Sequence, residues 1–170
     1  ASLLKDSYKP FKEVECLDVF THYQAMHYLK TKQPKVMYIS YGETDEWAHH
    51  ANYSNYLDAA NQVDAWIGDI WNWVQATPGY KNNTYILVTT DHGRGFGDAW
   101  TDHGADVKGA SSIWFALLGP NVKNNPLIAI GKLGEQDTAN QLFQKQLAAT
   151  ITKLIGYPFV AEHPVGAAIY

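Results

Sequence analysis

Apolar residues recur along this chain in two rhythms, and the alternation between them sketches its organisation. Residues 55–76 hold the clearest helical stripe: Tyr56, Ala60, Val63, Ile67, Ile70 and Val74 follow the 3.6-residue period until Pro78-Gly79 ends it. A second stripe over 12–30 runs through Val14, Leu17, Val19, Phe20, Ala25, Met26 and Leu29, then closes in lysine-rich sequence before Pro34. A third, over 137–155, places Leu142, Leu147, Ile151, Leu154 and Ile155 inward, with Gly156 as its cap. Short unbroken apolar runs at 36–41, 84–90 and 112–118 lie between them and read as fully buried strands. Helices alternating with buried strands predict an α/β fold. Its sheet is expected to be mostly parallel, joined by right-handed crossovers and flanked by helices on both faces. The stretches 93–111 and 121–136 follow neither rhythm and are expected as loops, the first rich in Gly and Asp.

Composition narrows this picture. At 170 residues and 46% hydrophobic, the chain suits one globular domain over 1–170 with a core of its own. Six Trp and eleven Tyr argue for an ordered chain. The net charge of −4, spread without blocks, leaves no basic footprint for nucleic acid and no acidic tail. Cys16 is the only cysteine, which excludes an intramolecular disulfide and a thiolate metal cluster; it reads as a small buried residue of the first helix. No run approaches the ~18 apolar residues that cross a bilayer. The opening ASLLKDSYKP lacks a basic stretch followed by an apolar one, so no secretory leader is visible. Asn52-Tyr53-Ser54 and Asn82-Asn83-Thr84 match the glycosylation pattern, which is too short to carry weight.

Candidate chemistry gathers where the strands end. Asp45 and His49 stand four apart in ETDEWAHH, so a helical turn there puts both on one face, within reach of a single ion. Asp91 and His92 end the run TYILVTTDHG, and His103 follows in WTDHG. Adjacent residues of an extended strand point to opposite faces; a bend at the strand end, which Gly93 and Gly95 permit, lets the pair converge. Carboxylate with imidazole is the ligand set of a divalent transition ion, zinc above all. A lone Asp-x-x-x-His is ordinarily an exposed polar pair, and Asp-His after a strand is often a helix cap beside a surface imidazole. Three such elements in order at one expected sheet edge shift the balance toward metal. Glu46 and His50 share the spacing of Asp45 and His49, so the residues alone leave both pairs open. Asp98, Asp102 and Glu43 are supporting candidates. His22 and His27 read as structural, His163 stays unassigned, and Trp66, Trp71 and Trp73 read as packing surface.

The order Asp-x-x-x-His, Asp-His-Gly after a strand, then His-Gly a short loop later resembles the alkaline phosphatase superfamily of two-metal hydrolases and mutases. The resemblance covers roughly residues 36–104 and continues more weakly to about 157. It favours Asp45 and His49 over Glu46 and His50. It implies two divalent metal ions: one held by Asp45, His49 and His103, the second by Asp91 and His92. Zinc is the ion it favours, and manganese also suits three imidazoles with two carboxylates.

The same resemblance implies a Ser or Thr nucleophile and a further Asp, for which this chain has no counterpart, Asp6 and Ser7 being adjacent. The expectation is therefore a carboxyl-terminal portion of a larger hydrolase whose amino-terminal half completes the site. An apolar edge that a second copy could cover would then be exposed. The implied activity is phosphoester hydrolysis or phosphotransfer on a phosphorylated small molecule, absent from the fragment alone, with a periplasmic or extracellular setting favoured. Superfamily sulfatases use one calcium ion with oxygen ligands and a modified Cys, which three imidazoles and Cys16 match poorly, so phosphoryl chemistry is preferred. A sulfatase-like hydrolase and a non-catalytic metal-binding module are the alternatives. Arg94, just past the Asp-His pair, is expected to steady the anionic substrate, against the plainer reading of a surface pair with Asp98.

Overall fold

The computed structural model describes residues 17–122 and 141–169. The chain divides into two compact units, Ala1–Val74 and Gln75–Tyr170.

The first unit is helical. Helix α1, Asp18–Lys32, ends on Gln33 in the left-handed conformation, one residue before Pro34. Its inward positions are Asp18, His22 and Leu29. Two of these three are polar, so their hydrogen bonds have to be met inside the fold. The part of the expected first helix before residue 17, with Val14 and Cys16, lies outside the described residues.

Residues 36–41 correct an expectation. Among the described residues they join no sheet, and they alternate: Val36, Tyr38 and Ser40 face outward while Met37, Ile39 and Tyr41 are half-buried. Tyr38 is 88% exposed. An unbroken apolar run does not distinguish a buried strand from an extended segment with one open face, because the sheet neighbour that would decide it is not local.

Two helices follow. Short α2, Glu43–His49, carries fully buried Ala48. Long α3, Tyr53–Ala76, opens with Asn52, whose side-chain Oδ1 accepts the Asn55 amide at 3.1 Å. That asparagine of the Asn-x-Ser pattern therefore serves as a helix N-cap. The inward stripe of α3 includes Tyr56, Val63, Ile67, Ile70 and Val74 as expected, but Ala59 is buried where Ala60 was expected. Its end at Ala76 precedes Pro78 and Gly79, the latter at φ 89°.

The second unit holds a two-stranded sheet. Strands β1, Ile86–Thr89, and β2, Phe115–Leu118, pair antiparallel, Ile86 opposite Leu118 and Thr89 opposite Phe115. The expected mostly parallel order is not found among the described residues. Parallel neighbours require a crossover, usually a helix. Residues 90–114 contain only the 3₁₀ turn Gly97–Thr101, so the chain returns in the opposite direction. The end of β1 and the start of β2 thereby share one edge of the sheet. Both strands are half-buried rather than enclosed.

The closing helix, α4, is shorter than expected. It spans Leu147–Leu154 after a 3₁₀ turn Gln144–Gln146, and residues 123–140, most of the expected second loop, lie outside the described residues. Gly156, at φ 80°, caps it: its amide donates to Lys153 and the Tyr157 amide donates to Thr152, the paired bonds of a Schellman end. Leu147 is buried, whereas Ile151 and Ile155 face outward and Thr150 takes the inward position, 1% exposed. Its Oγ1 donates to the Gln146 carbonyl at 2.7 Å and accepts the amide of buried Ile169 at 3.0 Å. No helix among the described residues is long and apolar enough to cross a membrane.

Candidate metal centre

Helix α2 presents the first candidate pair. His49 Nε2 and Asp45 Oδ2 are 3.3 Å apart, both partly exposed. Two ligand atoms each ~2.0–2.1 Å from a tetrahedral zinc ion lie roughly 3.3 Å apart, so the pair has the bite such an ion requires. The rival residues behave differently. The His50 ring turns back on its own helix, its Nδ1 donating to the Glu46 carbonyl at 2.8 Å.

Both ends of α2 are held by unusual means. At its start, buried Asp18 of α1 accepts the Gly42 amide on Oδ1 at 2.8 Å and the Glu43 amide on Oδ2 at 3.0 Å. Glu43 returns the favour: its Oε1 accepts the Asp18 amide at 3.0 Å. Each carboxylate thus satisfies amide donors at the other helix's N-terminus, where helix geometry leaves them unpaired and the dipole favours negative charge. At its far end, Ala51 sits at φ 53°, a left-handed conformation disfavoured for a residue with a Cβ. The Ala51 and Asn52 amides close that turn on the carbonyls of Ala48 and Trp47.

One turn along α1 from Asp18, His22 completes the grip. Its Nδ1 and the Tyr41 hydroxyl share a hydrogen bond of 3.0 Å. Its ring stacks on Trp66 of α3, centroids 4.9 Å apart and planes 8° from parallel. Burial lowers the His22 pKa from 6.5, with Asp69 opposing the shift and Lys30 adding to it. Burial also pushes the Tyr41 hydroxyl up to about 12, helped by the negative charge of Asp18. The imidazole is therefore neutral and the phenol protonated at neutral pH.

The second set of candidates stands just past β1. Asp91 Oδ1 accepts the amide of His92 at 3.0 Å and lies 3.8 Å from His92 Nε2, on a side chain 86% exposed. His92 Nδ1 donates to the Gly93 carbonyl at 2.9 Å. In the neutral imidazole this places the proton on Nδ1 and the lone pair on Nε2, the arrangement found behind metal-bound histidines. The His103 ring stacks on His92, centroids 3.7 Å apart and planes 17° from parallel. Gln144 Nε2, 53 positions away in sequence, donates to the Asp91 carbonyl at 3.0 Å.

The connecting loop explains its glycines by crowding. A Cβ on Gly93 would run into the backbone carbonyls of Ser112 and Gly109; one on Gly95 would meet the carbonyl of Ala99. The Gly93 amide donates to Ala110 at 2.7 Å and the Gly95 amide to Asp102 at 3.1 Å. Arg94 braces the same loop, its Nε donating to the Trp100 carbonyl at 2.7 Å and its Nη2 to the Thr101 carbonyl at 2.8 Å. Two of the donors expected for a substrate anion thus hold the turn that leads to His103.

The structure therefore joins Asp45 with His49, and His92 with both Asp91 and His103. It adds Asp18, His22, Tyr41 and Gln144, which sequence reasoning passed over or left as structural. Their partners lie 19 to 53 residues away, so no local pattern marks them. Only the acid at the first position of α1 and the acid at the first position of α2 hinted at capping.

No curated protein and no solved structure matches the chain. A family model does: the one described as Sulfatase matches residues 19–157, which takes in Asp45 and His49, the strand-end pair and His103. This chain belongs to the sulfatase family, within the alkaline phosphatase superfamily of hydrolases.

Proposed function

We propose that the chain supplies five ligands to a two-ion hydrolytic centre: Asp45, His49 and His103 toward one divalent ion, Asp91 and His92 toward the other. The observation that carries this is the 3.3 Å separation of Asp45 Oδ2 and His49 Nε2 on one face of α2. Such ions, when bound, polarise the ester and clamp the attacking and leaving oxygens of an in-line displacement. The protein's own part is orientation. The Gly93 carbonyl holds the His92 proton on Nδ1 and leaves Nε2 as the donor atom. Arg94, next to the Asp-His pair on the loop that leads to His103, is proposed to steady the substrate's anionic oxygens through its guanidinium.

Phosphate esters are the proposed substrates. Three imidazoles suit zinc or manganese, whereas calcium takes oxygen ligands. The nucleophile is assigned to no residue of this chain and is proposed to come from sequence outside these 170 residues. A sulfate ester is the second reading, favoured by the family whose model matches.

Elemental analysis of zinc and manganese in the dialysed chain gives the first test, with one equivalent expected, held by Asp45, His49 and His103, and less in His49→Ala. Turnover of nitrophenyl phosphate, bis-nitrophenyl phosphate and nitrophenyl sulfate by the protein carrying its nucleophile segment gives the second. Phosphate turnover that disappears in His92→Ala is the expected result. Preferential sulfate cleavage would replace the first reading by the second, and metal binding without any turnover would mark a non-catalytic module.

A further inference from the structure

Helix α2 has only seven residues, too few to hold its shape unaided, yet it bears both Asp45 and His49. Its N-cap position, Gly42, has no side chain to offer, and no side chain of its own segment caps it. What stands there instead is the Asp18 carboxylate, 3% exposed and bonded to two successive amides. The bond from Asp18 N–H to Glu43 Oε1 closes the pair into a ring, so neither helix start can shift without the other. His22, on the same face of α1, fixes Tyr41 immediately before α2 through the shared hydrogen bond. Three consecutive residues, 41 to 43, are thus tied to one helix 19 to 25 positions earlier.

The geometry points to Asp18 as a positioning residue for the metal site: with Glu43 as its return arm, it sets the angle and start of α2 and thereby the bite of Asp45 and His49. This rests on the metal reading of that pair. Asp18 is not itself proposed as a ligand, since both its oxygens accept backbone amides. Two buried, charge-assisted bonds onto backbone amides specify orientation more tightly than an exposed cap, because the carboxylate plane fixes both donors at once. Supporting groups behind metal ligands typically change affinity by ~10–100-fold when removed.

Zinc alone is the probe, its affinity measured by competition with a chromogenic chelator. Asp18→Asn keeps the shape but replaces one acceptor by a donor and removes the charge. The expected result is zinc affinity lowered by ~10–100-fold, partial recovery in Asp18→Glu, and faster hydrogen exchange of the Gly42 and Glu43 amides. Thr150→Val, a destabilising change far along the chain, should leave zinc affinity unmoved, which separates positioning from general loss of stability. Unchanged affinity in Asp18→Asn, with Asp45→Asn losing zinc, would overturn the proposal while sparing the metal reading. Unchanged zinc binding in Asp45→Asn and His49→Ala would overturn the metal reading at α2, and the proposal with it. Should Asp18→Asn fail to fold, Glu43→Ala removes only the return arm, and full zinc affinity there would equally reject the proposal.

Discussion

Gly93→Ala is the substitution where the structure decides between two opposed effects. A glycine at negative φ normally gains about 0.4–1 kcal/mol on becoming alanine, because the unfolded chain loses freedom. Against that stands the space at this position. The new methyl would lie on the carbonyl oxygens of Ser112 and Gly109, both backbone atoms that cannot swing aside. A close C–H···O contact needs roughly 3.3 Å, so one strand of the loop must move by the order of an ångström. Overpacking of this kind costs about 1–3 kcal/mol. The same movement stretches the 2.7 Å bond from the Gly93 amide to Ala110, adding about 1 kcal/mol. The balance is a destabilisation of about 2 kcal/mol, or a melting temperature lower by about 4–8 °C. Urea denaturation with an unchanged slope is the assay, since a lower midpoint at constant slope isolates stability. Zinc affinity should fall alongside, because His92 Nδ1 bonds the carbonyl of the substituted residue. A midpoint equal to or above that of the parent protein would refute the reasoning, for the entropic gain would then have met no steric opposition.

Other perturbations bear on different links. Ala51→Gly should raise stability by up to about 1 kcal/mol in thermal melts, since the left-handed φ of 53° strains alanine at the end of α2; a lower midpoint would show the strain to be absent. Thr150→Val should cost about 1–3 kcal/mol, because the buried Ile169 amide loses its acceptor, and that amide should exchange faster with solvent. Stability should fall as pH rises from 10 to about 12, because the folded state holds the Tyr41 proton more tightly than the unfolded chain; Tyr41→Phe should flatten this limb in denaturant midpoints measured against pH. At the acid side His22 works in the opposite sense. Its lowered pKa means stability is complete above 6.5 and erodes as pH falls below it, a limb that His22→Phe should weaken.

What the sequence determined by itself was everything governed by neighbours along the chain. The 3.6-residue stripe located α3, and Pro78-Gly79 and Gly156 marked where α3 and α4 stop, because helix period and end chemistry depend on residues a turn apart. The spacing of Asp45 and His49 placed the two on one helical face for the same reason. Tertiary structure decided the rest. Strand direction depended on the connection over residues 90–114, which forms no crossover helix. Whether residues 36–41 would be enclosed depended on a sheet neighbour, and Thr150 displaced Ile151 from the interior because the chain's end supplied a backbone amide for its hydroxyl. The clasp between Asp18 and Glu43 spans 25 positions, and a carboxylate's partner at that range is chosen by packing, which no periodicity records.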